Sequence, residues 1–524
     1  MLKGIFIICL FLLTSIQYVN ATKYYISPSG GDLNKGSAAS PWKTLSHATS
    51  QANNPGDIIF VTPGTYYENQ QSFLKPGVSI EGNGLTSHII SQLVLPLIVL
   101  ESFEGTLGNQ HISGIQIDGN GLVGNTAILI NGRSIVNIHD CSFVNFKSGA
   151  SYFDADGYEY VIEIRNSYGG IEINNNIIEG GIRGLFVKKS NSTNCLDIHH
   201  NKIGKNTMST ISEAGIYVCD VEDLYIRNNS FKNLMAQIVI TSYSNTLMRN
   251  VFIYNNIMTD IGVASEENYG SGIMLMGLTS EPARNINIIN NTIVANPGSR
   301  PTMIGIWLPT IGNAKYVVVR NNIIMGFKYA SMFAAGPEPT MDSVYVENNI
   351  LYENAIEGVK VDSATNLPYF TNVRLPLHYV EQDNIEENPY FMSSTDFHLQ
   401  STSPGIKSGI YTSWITEDYA GGSMDNPPNI GAYGNNIPTV IVDPLKYKLL
   451  VYPVPAIDYV NIVVEDPNFS PKILKVFNFI GQQVINEYVS DNNIFLPLNL
   501  PSGTYVIVVF NGRSQMMVAK IIIY

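Results

Sequence analysis

The sequence predicts an all-β chain, a parallel β-helix solenoid followed by a small C-terminal β-sandwich, on three observations. A phrase with two asparagines between short apolar stretches recurs through the middle of the chain. The apolar residues around it alternate and are mostly β-branched, as strands require. After residue 436 the phrase stops, and a run of short strands with hairpin turns replaces it.

The 524 residues are 45% hydrophobic and only 14% charged, which fits a large core spread over more than one domain. Sparse charge with 10% aromatics is the reverse of a disordered composition. A formal charge of −13 argues against nucleic acid as a partner, yet leaves room for a local basic groove facing an anionic ligand. The opening stretch, MLKGIFIICLFLLTSIQYVNA, reads as a signal peptide over residues 1–21. Lys3 supplies the positive start, Ile5 to Leu13 the apolar core, and Val19-Asn20-Ala21 a small-residue cleavage site. Cys9 sits inside that core, so a lipoprotein anchor is not indicated. The mature chain, expected to be a monomer, keeps Cys141, Cys195 and Cys219 without metal-ligand spacing, and no later segment reads as transmembrane.

The repeated phrases are IEINNNII (171–178), DIHHNKI (197–203), YIRNNSF (225–231), FIYNNIM (252–258), NIINNTI (287–293), VVVRNNII (317–324) and VYVENNIL (344–351), with NIHDCSF (137–143) ahead of them. The second member of each pair falls at Cys141, Asn176, Asn201, Asn229, Asn256, Asn291, Asn322 and Asn349, at spacings of 35, 25, 28, 27, 35, 31 and 27 residues. Such a period marks a solenoid. No helical stripe accompanies it, so each period is a coil of short strands whose rungs stack in parallel. Asparagine tolerates the left-handed backbone of a sharp corner, and stacked amides can bond rung to rung. The asparagines are therefore read as scaffold.

This organisation resembles the right-handed parallel β-helix proteins of the pectate-lyase-like superfamily over about residues 22–436. YYISPSGGDLNKGSAASPWKTLSHATSQANNPGDIIFVTPGTYYE (24–68) resembles their N-terminal cap (22–68), with a short helix around Leu45–Gln51 and a first rung after Pro55-Gly56-Asp57. DFHLQSTSPGIKSGI (396–410) and PPNIGAYGNN (427–436) resemble their closing segment, placed here over 390–436. Caps are required because an open solenoid end exposes core and strand edges. A linker is read over 437–447. Beyond it, residues 448–524 resemble the type IX secretion sorting domain of Gram-negative bacteria through Tyr452-Pro453-Val454-Pro455, Gly481-Gln482-Gln483, Ser502-Gly503-Thr504-Tyr505 and a terminal KIII. That resemblance implies type IX secretion machinery as a partner and a secreted or cell-surface location.

Within each repeat, the strand opening with Gly-Ile or its equivalent is the candidate ligand sheet: VIEIR (161–165), GLFVKK (184–189), GIYVCD (215–220), GIMLM (272–276) and GIWLP (305–309) among them. Alternation turns Ile162, Ile164, Leu185, Val187, Ile216 and Val218 inward, and Glu163, Arg165, Phe186, Lys188, Tyr217, Met274 and Trp307 outward. Arg165 and Lys188 then neighbour each other on adjacent rungs, with Glu163 beside them. A strip through Tyr217, Met274 and Trp307 offers sugar rings a stacking surface. Entering loops add Asp154, Asp156 and Glu213 as candidate calcium ligands.

The resemblance implies cleavage of a uronic-acid polysaccharide by β-elimination, with Lys188 as base, Arg165 as carboxylate clamp, calcium as a possible second neutraliser, and Glu163, Tyr217, Met274 and Trp307 as substrate contacts. Like-charge repulsion from Arg165 favours the neutral amine that a base needs. VKKSNSTN (187–194) is similar to the Lys-Ser segment of polysaccharide lyase family six, although the Arg expected two strands later is absent from ISEAGIYVCD (211–220). The alternatives are a non-catalytic glycan-binding or adhesion protein, and a glycoside hydrolase or epimerase on the same scaffold. Hydrolysis requires two carboxylates across one bond, and the outward columns supply only Glu163 clearly.

Overall fold

The computed structural model describes residues 21–147, 160–181, 183–190, 196–204, 214–242, 248–261, 269–277, 283–295, 302–308, 314–327, 330–334, 341–354, 359–360, 377–434, 449–452, 456–464, 473–478, 483–510 and 516–523. Asp154, Asp156 and Glu213, residues 1–20 of the expected signal peptide and the linker 437–447 lie outside them. The chain divides into two compact units, Met1–Asn436 and Ile437–Tyr524.

In the first unit, three parallel ladders wind around an apolar interior. The first ladder stacks Ile128, Ile162, Leu185, Ile216, Ile238, Ile273 and Ile306 in register. The second stacks Ile138, Ile173, Ile198, Ile226, Ile253, Ile288, Val319 and Val346. The third stacks Phe143, Ile178, Ile203, Phe231, Met258, Ile293, Ile324 and Leu351. None of these side chains is more than 2% exposed. Each contributes about 1.5–3 kcal/mol by leaving water.

The asparagine pair divides its labour. The first member takes the left-handed corner between the second and third ladders: Asn175, Asn228, Asn255, Asn290, Asn321 and Asn348 all have φ of 52–56°. The second member points inward and bonds along the axis. In each of Asn176, Asn201, Asn229, Asn256, Asn291, Asn322 and Asn349, Nδ2 donates to Oδ1 of the next, ending on Asn384, at 2.9–3.0 Å. Asn384, in the phrase QDNIEE, is one rung beyond the last counted from sequence.

The first members have a further use. Residues 404–434 form a strap along the outside of this corner, and five consecutive rungs hold it by donating side-chain amides to its carbonyls. Asn348 bonds Ser408 O (3.0 Å), Asn321 Ile410 O (2.9 Å), Asn255 Glu417 O (2.6 Å), Asn228 Asp418 O (2.6 Å), and Asn290 both Asn429 O and Gly431 O (3.2 and 3.1 Å). Asp418, 3% exposed, fixes the strap's tip by accepting from the backbone N–H groups of Ala420, Gly422 and Gly434.

A second left-handed corner precedes the second ladder, five residues before the first at Asp223, Asn250, Asn285, Tyr316 and Ser343. At the equivalent position Ile135 has φ 55° and is 36% exposed. A β-branched side chain is strained there, so Ile135→Asn is expected to raise stability by about 1 kcal/mol. A higher denaturant midpoint with an unchanged slope would confirm it.

At the N-terminal end a strand and a short helix cover the core. Strand Lys23–Ile26 pairs with Ile58–Val61, and helix Leu45–Gln51 lays Leu45 and Ala48 on the core. Thr44 Oγ1 caps that helix through His47 N, and Glu68 accepts from Leu45 N at 2.7 Å. The second unit is an antiparallel sandwich. A three-stranded sheet (Leu449–Tyr452, Tyr459–Val464, Asn493–Pro497) and a four-stranded one (Gln483–Tyr488, Ile473–Asn478, Gly503–Phe510, Met516–Ile523) enclose Val460, Ile462, Leu474, Val476, Leu496, Ile507 and Ile521. Tyr505 of the Ser-Gly-Thr-Tyr motif is 6% exposed and donates to Pro501 O at 2.8 Å.

Candidate functional site

The outward columns of the first ladder lie in the register that alternation gives. Glu163, Phe186, Tyr217, Val239, Met274 and Trp307 form one column, and Asn131, Arg165, Lys188, Cys219 and Thr241 the other. Arg165 and Lys188 are thus direct neighbours on adjacent strands, about 4.8 Å apart along the axis. The Lys188 side chain is exposed and that of Arg165 is 33% exposed.

Glu163 stands one step back along the strand and is 0% exposed. Its Oε1 accepts from Arg165 Nε, which fixes the guanidinium beside Lys188. No described residue donates to Oε2. Burial pushes the Glu163 carboxyl upward, against the pull of Arg165 and Lys188. A buried carboxyl paired with one cation and facing a second is a setting in which proteins hold charged groups for chemistry.

The upstream half of this face differs from the open strip expected. Tyr217 is 2% exposed and Phe186 4%, because an apolar cluster of Tyr160, Phe186, Ala214, Tyr217, Cys219, Ala236 and Val239 has formed on the outer side of the sheet. Tyr160 stacks on Phe186 at 4.3 Å, and the Arg183 guanidinium lies 3.7 Å from the centre of the Tyr217 ring. Burial lifts the Tyr160 phenol to about 12, partly offset by Arg183. Met274 packs on the edge of this cluster, and Trp307, half-buried, follows it in register. The face is therefore a covered aromatic floor whose downstream lip carries Arg165 and Lys188.

Sequence reasoning missed Tyr160 and Arg183. Strict alternation sends both inward with Ile162 and Leu185, but the chain turns out of alternation at the first residue of these strands. The Gly184 that follows Arg183, and Gly215 at the same place one rung on, are the available signal. A Cβ on either would meet the next rung's carbonyl oxygen at 2.8 Å, so the backbone closes tightly there. Cys141 and Cys219 are both buried. The expected calcium ligands Asp154, Asp156 and Glu213 fall outside the described residues, among which no His, Cys, Asp and Glu cluster is fit to hold a metal. Among the described residues no helix is long and apolar enough to cross a membrane.

Three family models match the chain: "Right handed beta helix region" over residues 194–375, "Protein of unknown function (DUF1565)" over 28–279, and "Secretion system C-terminal sorting domain" over 450–524. Among solved structures it is similar to XylC in complex with xylose, at 12% identity over 79% of this chain and 99% of that one, with a TM-score of 0.43. It is similar to the A-module of the mannuronan C-5 epimerase AlgE6 of Azotobacter vinelandii, at 12% identity over 66% and 93%, with a TM-score of 0.36. The surface protein and adhesin PfbA of Streptococcus pneumoniae matches at 14% identity over 63% and 91%, with a TM-score of 0.36. No curated protein matches.

Proposed function

We propose, from the premise that this is a right-handed β-helix chain with a type IX secretion sorting domain and hence a secreted or cell-surface protein, that it cleaves an anionic polysaccharide by β-elimination at the lip of its first ladder. The observation that carries this reading is the in-register pair Arg165 and Lys188, with Arg165 held from behind by the enclosed Glu163. Two cations side by side gain nothing from each other. A uronate carboxylate between them would attract both.

The chemistry needs two things. The proton beside the carboxylate is acidic only when a cation neutralises the developing enolate, and a base must lie within reach of that proton. Arg165 supplies the planar fork that matches a carboxylate, and Lys188 the amine that takes the proton. The electron pair left on carbon forms the double bond, and the glycosidic oxygen leaves with the pair of the broken C–O bond and takes a proton from water. A calcium ion held by the entering loops would add neutralising charge; the residues of the lip perform their parts without it.

The test is incubation of the full chain with polygalacturonate, alginate and glycosaminoglycans, with and without calcium, following the ultraviolet absorbance of the unsaturated product. Absorbance that grows with time supports elimination. Reducing ends released without absorbance would mean hydrolysis, and saturable binding with no new ends would mean a binding protein on the same surface.

A further inference from the structure

Over the second ladder, outward rings replace the polar side chains of earlier rungs. Tyr225 and Phe252 are in register and stack at 4.8 Å with 15° between their planes, while Tyr254 projects from the same face two residues beyond Phe252. The strap then adds Trp414, 42% exposed, which meets Phe252 at 5.1 Å and Tyr254 at 5.3 Å, at 74° and 84°. Its position is set on both sides, by Asn321 gripping Ile410 and Asn255 gripping Glu417, and Ile415 beside it is 2% exposed. These rings, with Asn285 and Asn287, line a cleft of about 530 Å³. The amides are set in place as well. Asn287 Nδ2 donates to Asn285 Oδ1 at 2.9 Å, and Asn285 Nδ2 to Asn250 Oδ1 at 2.8 Å.

The lining dictates the ligand. It holds four rings, two amides and the tyrosine hydroxyls, and no charged side chain. At the border, Arg227, two residues beyond Tyr225 on the same strand, donates to Asp197 of the preceding rung at 2.7–3.2 Å, and the exposed Arg284 adjoins Asn285 outside the lining. Rings offer a surface to C–H faces, and amides exchange hydrogen bonds with hydroxyls. A lipid tail would leave the amides unanswered, and a uronate would find no cation in the lining. A pyranose ring has an apolar face and a rim of hydroxyls, and the cleft lies in the size range of small-ligand pockets.

We propose that this cleft is a second saccharide site, on a different face from the Arg165–Lys188 lip, and that it binds a short neutral oligosaccharide. A protein with an acidic-polymer site on one face and a neutral-sugar site on the next holds two parts of a mixed extracellular matrix at once.

The experiment titrates the full chain with xylohexaose, cellohexaose and mannohexaose, with hexagalacturonate as the charged control, by calorimetry and tryptophan emission. At least one neutral hexasaccharide is expected to bind saturably. Trp414→Ala is expected to weaken that binding by at least about tenfold. Asn287→Ala, which keeps all four rings and leaves the strap pinned, is expected to weaken it several-fold with an unchanged unfolding midpoint. The proposal falls if no neutral hexasaccharide binds up to millimolar concentration, if both variants bind as the parent does, or if Trp414→Ala weakens hexagalacturonate as much as it weakens the neutral sugars.

Discussion

Replacing Asn256 with leucine is expected to lower the stability of the solenoid by about 3–5 kcal/mol, although the two side chains have the same number of heavy atoms and the same branching. Asn256 is 0% exposed and sits in the middle of the internal ladder. Its Oδ1 accepts from Asn229 N and Asn229 Nδ2, both at 3.0 Å. Its Nδ2 donates to Ile226 O at 2.8 Å, Tyr254 O at 3.0 Å and Asn291 Oδ1 at 3.0 Å. Leucine fills the space and leaves those groups facing hydrocarbon. Each buried polar group without a partner costs about 1–3 kcal/mol, and two rungs are affected at once. The measurement is the denaturant midpoint and slope of the full chain. A loss below about 1 kcal/mol would mean that the neighbouring backbone relaxes to find other partners.

Lys188→Ala is expected to reduce β-elimination by about 10²–10⁴-fold, the usual worth of a positioned proton-transfer group. This variant is cleaner than Arg165→Ala. Lys188 is exposed and its removal strands nothing, whereas Arg165 partners the fully enclosed Glu163 carboxylate. Removing one member of a buried pair typically costs about 3–5 kcal/mol, so lost activity in Arg165→Ala would be confounded with lost stability. Initial rates of product formation at saturating polymer separate the two effects when set beside the unfolding midpoints. Full activity in Lys188→Ala would remove the base assignment.

The coil was legible because its physical requirements repeat. A corner that needs a left-handed residue and an interior amide that needs another above it leave the same two letters at every turn from Asn175-Asn176 to Asn348-Asn349 except one, where His200 takes the corner. Period-two alternation likewise gave the outward columns and the adjacency of Arg165 and Lys188. What alternation does not carry is the covering of a face. Tyr217 and Phe186 point outward as expected but are enclosed by neighbours that depart from the rule, Tyr160 and Arg183. The aromatic cleft was hidden for another reason. The repeats YIRNN and FIYNN were understood through their asparagines, and nothing in the order of letters brings Trp414, some 160 residues later in the chain, beside Phe252.

The grip on residues 404–434 reads main-chain carbonyls, not side chains. A surface of that kind is indifferent to most of the letters laid upon it, as a zip is indifferent to the cloth it fastens. Substitutions around position 414 can therefore alter one wall of the cleft while every coil beneath stays as it was. Ligand preference and architecture are free to diversify on separate schedules, and a graft of this stretch between relatives is a direct route to new sugar selectivity.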